Sequence, residues 1–406
     1  MDTHCNQDKP IPTINPAKVL LPLGLGTALS LMGDATLYTV LPTHTEQAEI
    51  SLAAVGIILS ANRFIRLILN RPTGIAYDKS LRRRLFIPAL LIGALSTAIY
   101  AATKGFWPLL AGRLLWGLAW SGIWIGGTTI ILDVSQHKDR GRWTGLYQTW
   151  FFLGAAMGAI IGGWLTDMWG YSTAMWIGAL ITTTGAIFAF FRLPETKSEY
   201  DQNNENDITQ PAGDWRPGFE FYSVITLNGI NRYISAGVIA ATLALLVQNQ
   251  LPQSNLVIGV ATVTGILLGL RTILSMFSAP LSGALSDRNK NRWGVTIGAF
   301  LIGAIGMLLL SSTVPVMILV GICFGAVAGG SIQALMTTRT GDLVDQVHRG
   351  RAIGNLHTAG DLGSALGPIT AYALLSWMSL NGLFLICAVL FCLGACLAGL
   401  LYLRQG

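Results

Sequence analysis

Long apolar segments separated by short polar breaks restrict the fold of this chain more than any other feature of its sequence. Hydrophobic residues make up 52% of the 406 residues and charged residues only 11%, against about 25% charged in soluble domains. Because a spanning helix needs about 20 mostly apolar residues, the pattern predicts twelve transmembrane helices. The predicted segments are 19–41, 51–71, 85–103, 105–134, 142–166, 172–192, 219–249, 256–281, 293–312, 314–340, 351–377 and 380–403. This composition argues against a soluble enzyme and against a nucleic-acid binder.

The basic residues of the predicted loops lie almost entirely on one side of the membrane. One set of alternate loops carries Lys104 as its only basic residue, whereas the other set is rich in basic residues. The basic set comprises Lys79, Arg82, Arg83, Arg84, Lys138, Arg140, Arg142, Arg288, Lys290, Arg292, Arg349 and Arg351. Because cytoplasmic loops carry an excess of lysine and arginine, we expect a multi-pass protein of the cell membrane with both termini in the cytoplasm.

The two halves of the chain share a pattern of glycine and charged residues at a constant offset of 209 positions, as from residue 74 to residue 283. The matched positions are Gly74 with Gly283, Asp78 with Asp287, Asp133 with Asp342, and the Arg-Gly-Arg runs at 140–142 and 349–351. Matches of several residue types in one register indicate an internal repeat of six helices. The predicted parts are a cytoplasmic tail over 1–18, a six-helix bundle over 19–192, a cytoplasmic linker over 193–218 and a second six-helix bundle over 219–406.

The segment after the second predicted helix carries the most specific motif in the chain. It runs from Gly74 to Arg84 as Gly-Ile-Ala-Tyr-Asp-Lys-Ser-Leu-Arg-Arg-Arg, and a second copy begins as Gly-Ala-Leu-Ser-Asp-Arg at Gly283. This motif resembles the signature loop of the major facilitator superfamily, Gly-x-x-x-Asp-Arg/Lys-x-Gly-Arg-Arg/Lys, with Leu81 in place of the second glycine. The resemblance implies the fold of that superfamily, an all-α membrane protein whose twelve transmembrane helices form two pseudo-symmetric six-helix bundles.

The resemblance also implies roles for the charged residues of this gating-loop motif. In the family, the aspartate faces the positive N-terminus of helix eleven, and a following arginine pairs with an acidic residue at the end of helix four. The matching positions are Asp78, Arg82 and Asp133, and their contacts would latch the outward-facing state. The complete motif comprises Gly74, Asp78, Arg82, Asp133, Gly283, Asp287 and Arg288. The alternative is that the basic loop only sets the topology.

Charged residues inside the predicted spans are candidates for proton coupling, because an embedded charge is unfavourable without a partner. Arg113 begins an Arg-x-x-x-Gly run that resembles a second family motif, common in proton-coupled members, and Asp34 falls with it in the outer half of the bilayer. We expect these two residues to pair, either as a protonation switch or as a structural ion pair. Asp361 lies one turn from His357 near mid-membrane, where it would pair with Arg232 or accept a proton.

Two features of the predicted spans suggest what a central cavity would bind. Trp116, Trp120 and Trp124 recur at every fourth residue, so they share a helix face and would stack on flat apolar or cationic solutes. The alternative is that these rings only pack against neighbouring helices. The embedded charges instead favour an anionic solute, because arginines outnumber aspartates by five to two. The arginines are Arg63, Arg66, Arg113, Arg232 and Arg271; Arg63 and Arg232 are the best candidates for anion contact, and Asn228, Asn231 and Gln333 complete the polar cavity candidates.

The fifth predicted helix carries glycines at four-residue spacing, at Gly154, Gly158 and Gly162. This run partly resembles the antiporter signature of drug:proton exchangers, although Ala159 stands where the family has proline. Small residues at this spacing also allow close helix packing, which is the structural alternative.

These features favour a proton-coupled secondary transporter that moves a small amphipathic or drug-like solute by alternating access, with efflux as the favoured direction. The alternatives are a transporter of an organic anion or other metabolite, and a transport-inactive sensor or assembly factor on the same scaffold. The sequence has no phosphate-binding Gly-x-x-x-x-Gly-Lys-Ser/Thr loop and no clustered histidines, so we expect neither an enzyme nor a bound metal or cofactor. The expected partners are a small-molecule solute, protons and the lipid bilayer, without nucleic acid, and the expected state is a monomer.

Overall fold

The computed structural model describes residues 14–136, 139–197, 217–250, 259–344 and 348–404. These residues form helices joined by short turns, and no β-strand occurs among them. The helices are α1 (Pro16–Val40), α2 (Leu52–Lys79), α3 (Arg82–Ala102), α4 (Phe106–Val134), α5 (Arg140–Trp169), α6 (Tyr171–Arg192), α7 (Phe219–Arg232, Tyr233–Ile239 and Ala240–Gln250), α8 (Val260–Asn289), α9 (Arg292–Leu310), α10 (Pro315–Leu343), α11 (Arg349–Leu374) and α12 (Leu380–Leu403). The protein is therefore all-α, and each predicted segment corresponds to one helix.

Within the described part of the chain, eleven helices are long and apolar enough to cross a membrane. The remaining helix, α11, is less apolar because polar residues such as His357 and Asp361 lie along it. The predicted tail over 1–18 and linker over 193–218 fall largely outside the described residues.

Local sequence explains several helix boundaries. Ser51, Asn291 and Ser379 each accept a hydrogen bond from a backbone N–H in the first turn of the helix that follows, which is the usual role of an N-cap. Gly105 and Gly170 precede α4 and α6 with φ angles of 89° and 83°, a conformation that glycine adopts without strain. The connections α3–α4 and α5–α6 are consequently very short.

The gating-loop motif is mostly helical, which differs from the predicted end of the second segment at residue 71. α2 continues to Lys79 and α8 to Asn289, so the glycine and aspartate of both copies lie in the final helical turns. Only Ser80 and Leu81 connect α2 to α3. Leu81 has a φ of −62°, so this turn does not require the glycine that is usual in the family.

The helices pack as two groups. In the first bundle, α1 contacts α5 and α6 while α3 contacts α4 and α6; in the second, α9 contacts α10 and α12 while α7 contacts α11. The bundles meet along two seams, α2 against α11 and α5 against α8. The glycine run of α5 packs against α1, since a Cβ added at Gly154 would lie 2.5 Å from the Cα of Ala28.

The internal repeat is visible in two ion pairs near the helix connections. Arg82 Nε lies 2.9 Å from Asp133 Oδ2, and Arg292 Nε lies 3.0 Å from Asp342 Oδ2. The two aspartates match in the repeat, whereas the arginines differ by one position. The shift arises because Asn291 caps α9, accepting a hydrogen bond from the backbone N–H three residues later at 2.7 Å.

A wide turn interrupts α7. The backbone forms a π-helical turn over Tyr233–Ile239, directly after Arg232. Within this turn Gly237 packs against α11 so closely that a Cβ added at Gly367 would lie 2.4 Å from the Cα of Gly237. Wide turns of this kind are found frequently at functional sites.

Candidate solute-binding site

The two bundles touch at one end of the molecule. We call the end with the α2–α3 and α8–α9 connections the basic end, after its lysines and arginines, and the other the opposite end. At the opposite end, Asp167 Oδ2 of α5 accepts hydrogen bonds from the backbone N–H of Thr262 at 2.7 Å and from its hydroxyl at 2.5 Å. Nearby, a Cβ added at Gly163 would lie 2.2 Å from the carbonyl oxygen of Ala261.

The bundles separate toward the basic end. Contacts of α2 with α11 extend from Gly56 to Asn70, whereas Arg71 and Asp78 farther along α2 are exposed. Open space surrounds an added Cβ at several glycines near this end, among them Gly74, Gly145, Gly283 and Gly354. The bundles therefore enclose a crevice that is open at the basic end and closed at the opposite end.

Gly163→Ala is expected to weaken closure at the opposite end, because its methyl group would collide with the backbone of α8. Overpacking of this kind costs about 1–3 kcal/mol. This corresponds to a shift of roughly 5- to 150-fold in the equilibrium between the arrangement open at the basic end and the arrangement open at the opposite end. Spin labels at positions 79 and 351 should then approach each other as the basic end closes. Gly145→Ala is the matched control, since open space surrounds it, and an unchanged distance in Gly163→Ala would contradict the prediction.

His44 lies at the closed opposite end, just beyond α1. Its Nδ1 lies 3.1 Å from the carbonyl oxygen of Val40 and 3.0 Å from the hydroxyl of Thr43. Burial lowers the pKa of His44 below its usual 6.5, and this effect outweighs the opposite effects of the Val40 carbonyl and the Asp167 carboxylate. The imidazole is therefore neutral at pH 7 and places no positive charge beside the α5–α8 seam.

Arg113 of α4 is fully buried inside the first bundle and forms an ion pair with Asp34 of α1. It also donates to two backbone carbonyls of α2, Ile58 at 3.3 Å and Leu59 at 3.4 Å. Tyr38 completes the surroundings, with its hydroxyl 3.3 Å from Arg113 Nη2 and its ring centroid 5.2 Å from the guanidinium carbon. A buried charge is tolerated when it is both paired and hydrogen-bonded, and Arg113 meets both conditions.

Asp361 of α11 forms an ion pair across the α2–α11 seam with Arg66 of α2. Arg66 Nη2 lies 2.9 Å from each carboxylate oxygen, and Asn70 Nδ2 lies 3.5 Å from Asp361 Oδ2. Ser121 of α4 donates to Asn70 Oδ1 at 2.9 Å, which extends this network into the first bundle. The structure thus corrects the expectation that Asp361 pairs with Arg232, because Arg66 takes that place.

Four arginines converge where the bundles meet, and we call Arg63, Arg66, Arg232 and Arg271 the arginine cluster. Arg63 Nη1 donates to the carbonyl oxygen of Ser364 across the seam at 2.8 Å. Arg232 interacts electrostatically with Arg63, Arg66 and Asp361, and Arg271 interacts with Arg63 and Arg232. Among the described residues, Asp361 is the only carboxylate at ion-pair distance from this cluster.

The other polar candidates divide into crevice-facing and packed residues. Gln333 and His357 are exposed, and Gln333 Oε1 accepts a hydrogen bond from Arg232 Nη1 at 3.4 Å. Asn228 and Asn231 are buried and donate to backbone carbonyls of α11 and α10, each at 3.0 Å. This corrects the expectation for the two asparagines, which fasten α7 to its neighbours instead of lining a cavity.

The three tryptophans of α4 stack in succession, with 5.8 Å between neighbouring ring centroids. Trp116 and Trp120 are buried in the core of the first bundle. Trp120 and Trp124 also contact Phe151 of α5, with centroid distances of 5.7 and 5.3 Å. In this conformation Trp116 and Trp120 pack α4 into its own bundle, which corrects the expectation that the whole stripe is presented to a solute and agrees with the packing alternative. Trp124 is half-buried beside them.

The latch expected at Asp78 is open. Asp78 is exposed and, within the described residues, its carboxylate makes no hydrogen bond or ion pair with α11. The contact of Asp78 with α11 would hold the basic end shut, and its absence accompanies the open crevice. The Arg82–Asp133 pair of the same latch is formed although that end is open, so this pair does not close the basic end by itself. In the second copy of the motif, Asp287 Oδ1 lies 3.5 Å from Arg292 Nη2, while Arg288 is exposed.

Two residues that contribute to these contacts, Glu195 and Tyr38, were not identified from the sequence. Glu195 accepts hydrogen bonds from the backbone N–H groups of Arg82 at 2.9 Å and Arg83 at 3.1 Å, and thereby caps α3. It lies in a polar stretch interpreted as linker, so no pattern marked it. Tyr38 lies one turn after Asp34, and the helical period was a usable signal for it.

Comparison with known proteins identifies the family of this chain. The family model described as Major Facilitator Superfamily matches residues 23–248 and again 221–405. The chain belongs to the major facilitator superfamily. It is similar to the tetracycline resistance protein, class B, of Escherichia coli, with 22% identity over 380 residues that cover 90% of this chain and 92% of that protein. It is also similar to the multidrug resistance protein MdtG of Klebsiella pneumoniae (strain 342), with 23% identity over 379 residues that cover 90% and 88%.

A solved structure supports the fold of this major facilitator protein. The structure of a bacterial homolog to the human lysosomal transporter Spinster, in an inward-facing and occupied conformation, aligns with a TM-score of 0.77 at 16% identity. The alignment covers 97% of this chain and 98% of that chain. The protein is therefore a multi-pass membrane transporter of the superfamily and not an enzyme.

Proposed function

We propose that this transporter moves a small organic anion across the membrane by alternating access and couples that movement to protons. The arginine cluster carries the proposal, because it lies where the bundles meet and has Asp361 as its one counter-charge among the described residues. A crevice lined by one sign of charge attracts solutes of the other sign. The same charges would repel a cation.

The cluster also retains hydrogen-bonding capacity for a ligand. Nε of Arg66 and Nε of Arg271 are buried without a partner in the part of the chain that the structure describes. A buried donor without a partner costs about 1–3 kcal/mol, so an acceptor that reaches these atoms is favoured. Guanidinium groups bind carboxylate and phosphate through paired N–H bonds, which suits a solute with a carboxylate, phosphate or sulfonate.

Proton coupling is proposed because two carboxylates lie within membrane-spanning helices beside arginines. Asp34 pairs with Arg113 inside the first bundle, and Asp361 pairs with Arg66 between the bundles. Protonation of either aspartate would break an ion pair and release an arginine. The energies of the two arrangements of the bundles would then depend on pH.

The orientation follows from the distribution of basic residues. The positive-inside rule assigns the basic end to the cytoplasm, so the crevice opens to the cytoplasm and both termini lie there. In this proposal the protein acts as a monomer in the cell membrane, with bundles over 19–192 and 219–406 joined by a cytoplasmic linker over 193–218.

Efflux of an amphipathic, drug-like solute is the second candidate function. It is favoured by the two bacterial relatives, which are named for resistance to tetracycline and to multiple drugs. Trp124, which is only half-buried, is the member of the tryptophan stripe that remains available to such a solute. The two functions share alternating access and differ in the charge of the solute.

Counterflow in proteoliposomes distinguishes these functions. Vesicles containing the full-length protein are loaded with an unlabelled organic anion or cation, and uptake of the same labelled compound is followed with and without a pH gradient. We expect saturable counterflow of aromatic carboxylates or sulfonates that responds to the gradient. Counterflow of amphipathic cations alone would overturn the anion proposal in favour of drug efflux, and no counterflow across a broad panel would favour a transport-inactive sensor.

A further inference from the structure

We propose that Asp361 binds the transported proton and that proton and anionic solute occupy the arginine cluster together, so that both cross the membrane in the same direction. This coupling rests on the anion transport proposed above. It adds the identity of the proton-binding residue and the sense of the coupling.

The position of Asp361 between the bundles is the first observation that supports this role. Asp361 is 6% exposed, so its carboxylate interacts mainly with neighbouring protein groups and little with water. Its ion pair with Arg66 joins the two bundles, and it is the only ion pair to do so within the described ranges. A change in the protonation of Asp361 therefore acts directly on the seam that must open during alternating access.

Arginines lie near Asp361 on two of the three helices that pack against α11, namely α2 and α7. The charged or titratable groups that face it are Arg66 of α2, Arg232 of α7 and His357 of its own helix. Arg63 of α2 lies close by, at the carbonyl oxygen of Ser364 one turn farther along α11. α10, which also packs against α11, contributes the uncharged Gln333. Asp361, the one carboxylate at ion-pair distance from the cluster in the part of the chain that the structure describes, partly neutralises the unloaded cluster.

An anion that enters the cluster changes the protonation equilibrium of Asp361. It draws hydrogen bonds from the guanidinium groups, Arg66 included, and places a second negative charge beside the carboxylate. Both effects favour the protonated form of Asp361. Linkage is reciprocal, so protonation of Asp361 strengthens anion binding by the same factor, on the order of 5- to 150-fold for couplings of this kind.

The sign of this coupling determines the direction of transport. Two ligands that strengthen each other's binding are carried together, whereas exchange in opposite directions requires competition for one site. A cation would compete with the proton for Asp361, but an anion does not. The loaded state can also separate α2 from α11 without an unpaired carboxylate, because Asp361 is neutral and Arg66 is bound to the solute.

Titration calorimetry on the purified full-length protein tests the coupling, with sulfate and benzoate as the probes. Runs in buffers with different heats of ionisation give the number of protons taken up for each anion bound. We expect uptake approaching one proton per anion and an affinity that rises at least five-fold from pH 8 to pH 5.

Variants of the protein test which residue binds the proton. Asp361→Asn mimics the protonated acid and should bind the anion as tightly as the wild type at pH 5, without pH dependence or proton uptake. Glu46→Gln is the matched control, since it removes an exposed carboxylate from the turn beyond α1. If Asp361→Asn does not fold, Arg66→Gln/Asp361→Asn removes the whole pair and should still bind the anion through Arg63 and Arg232 without proton uptake.

The possible results separate this coupling from the proposed function. Anion binding by the wild type without proton uptake would overturn the coupling and leave anion transport standing. Proton uptake that persists in Asp361→Asn would also overturn it, because another residue would then hold the proton. Failure of both probes to bind at any pH would overturn the anion site together with the coupling.

Discussion

Replacing Asp34 with asparagine is expected to lower the free energy of unfolding by about 3–5 kcal/mol and to abolish transport driven by a pH gradient. The side chain of Arg113 is 0% exposed, so its charge would remain buried without a carboxylate. The carbonyls of α2 and the Tyr38 hydroxyl remain as partners, but they do not neutralise that charge. Thermal unfolding of the purified protein measures the first effect, and uptake into proteoliposomes measures the second.

The double variant Asp34→Asn/Arg113→Gln separates structure from coupling. Removal of both partners should restore most of the stability, because no unpaired buried charge remains. If Asp34 also binds a proton, transport driven by the gradient stays lost in this variant. Glu49→Gln is the control, since its pair with Lys104 is exposed and such pairs contribute about 0–1 kcal/mol. An Asp34→Asn protein as stable as the wild type would contradict the role of the buried pair.

Replacing Arg232 with glutamine is expected to lower kcat/KM for organic-anion uptake at least ten-fold, with a smaller effect on stability. In the described part of the chain, Arg232 makes a single hydrogen bond, 3.4 Å to Gln333, so the substitution removes few polar contacts between the helices. Its charge acts on Arg63, Arg66 and Asp361 within the cluster. A hydrogen bond from a charged group contributes about 1.5–3 kcal/mol, which corresponds to ten-fold or more in affinity.

Two companion variants make this prediction specific to the cluster. Arg192→Gln removes an exposed positive charge from the last turn of α6, away from the cluster, and should transport normally. Arg232→Lys keeps the charge but loses the planar fork of the guanidinium, so intermediate uptake is expected. Unchanged anion uptake by Arg232→Gln would argue that the cluster does not bind the solute.

The number and order of the helices could be predicted because a spanning helix needs its apolar length whatever its neighbours are. The ends of α2 and α8 could not, because a helix continues through polar residues once it leaves the apolar layer. α2 thus runs to Lys79. The resemblance to the family implied the pair of Arg82 with Asp133, but the one-position shift at Arg292 arises from the cap supplied by Asn291.

The depth of a residue in the membrane could be predicted from the sequence, whereas the rotation of each helix about its own axis could not. Asp34 and Arg113 could be matched because each lies a countable number of residues from a helix end. Asp361 pairs with Arg66 instead of Arg232 because the rotations of α2 and α11 at their seam decide the partner. The tryptophans share a face, as their spacing predicts, but only packing determines that this face points into the first bundle.

The wide turn in α7 breaks the likeness between two related helices. α1, its counterpart in the repeat, is a regular α-helix over Pro16–Val40. A π-helical turn accommodates one additional residue, and in a regular helix one residue corresponds to a rotation of about 100°, so the residues beyond Ile239 face other directions than their counterparts in α1. A single extra backbone position is thus enough to give the two duplicated halves different inner surfaces. An asymmetric solute requires such a difference between the two sides of its binding site.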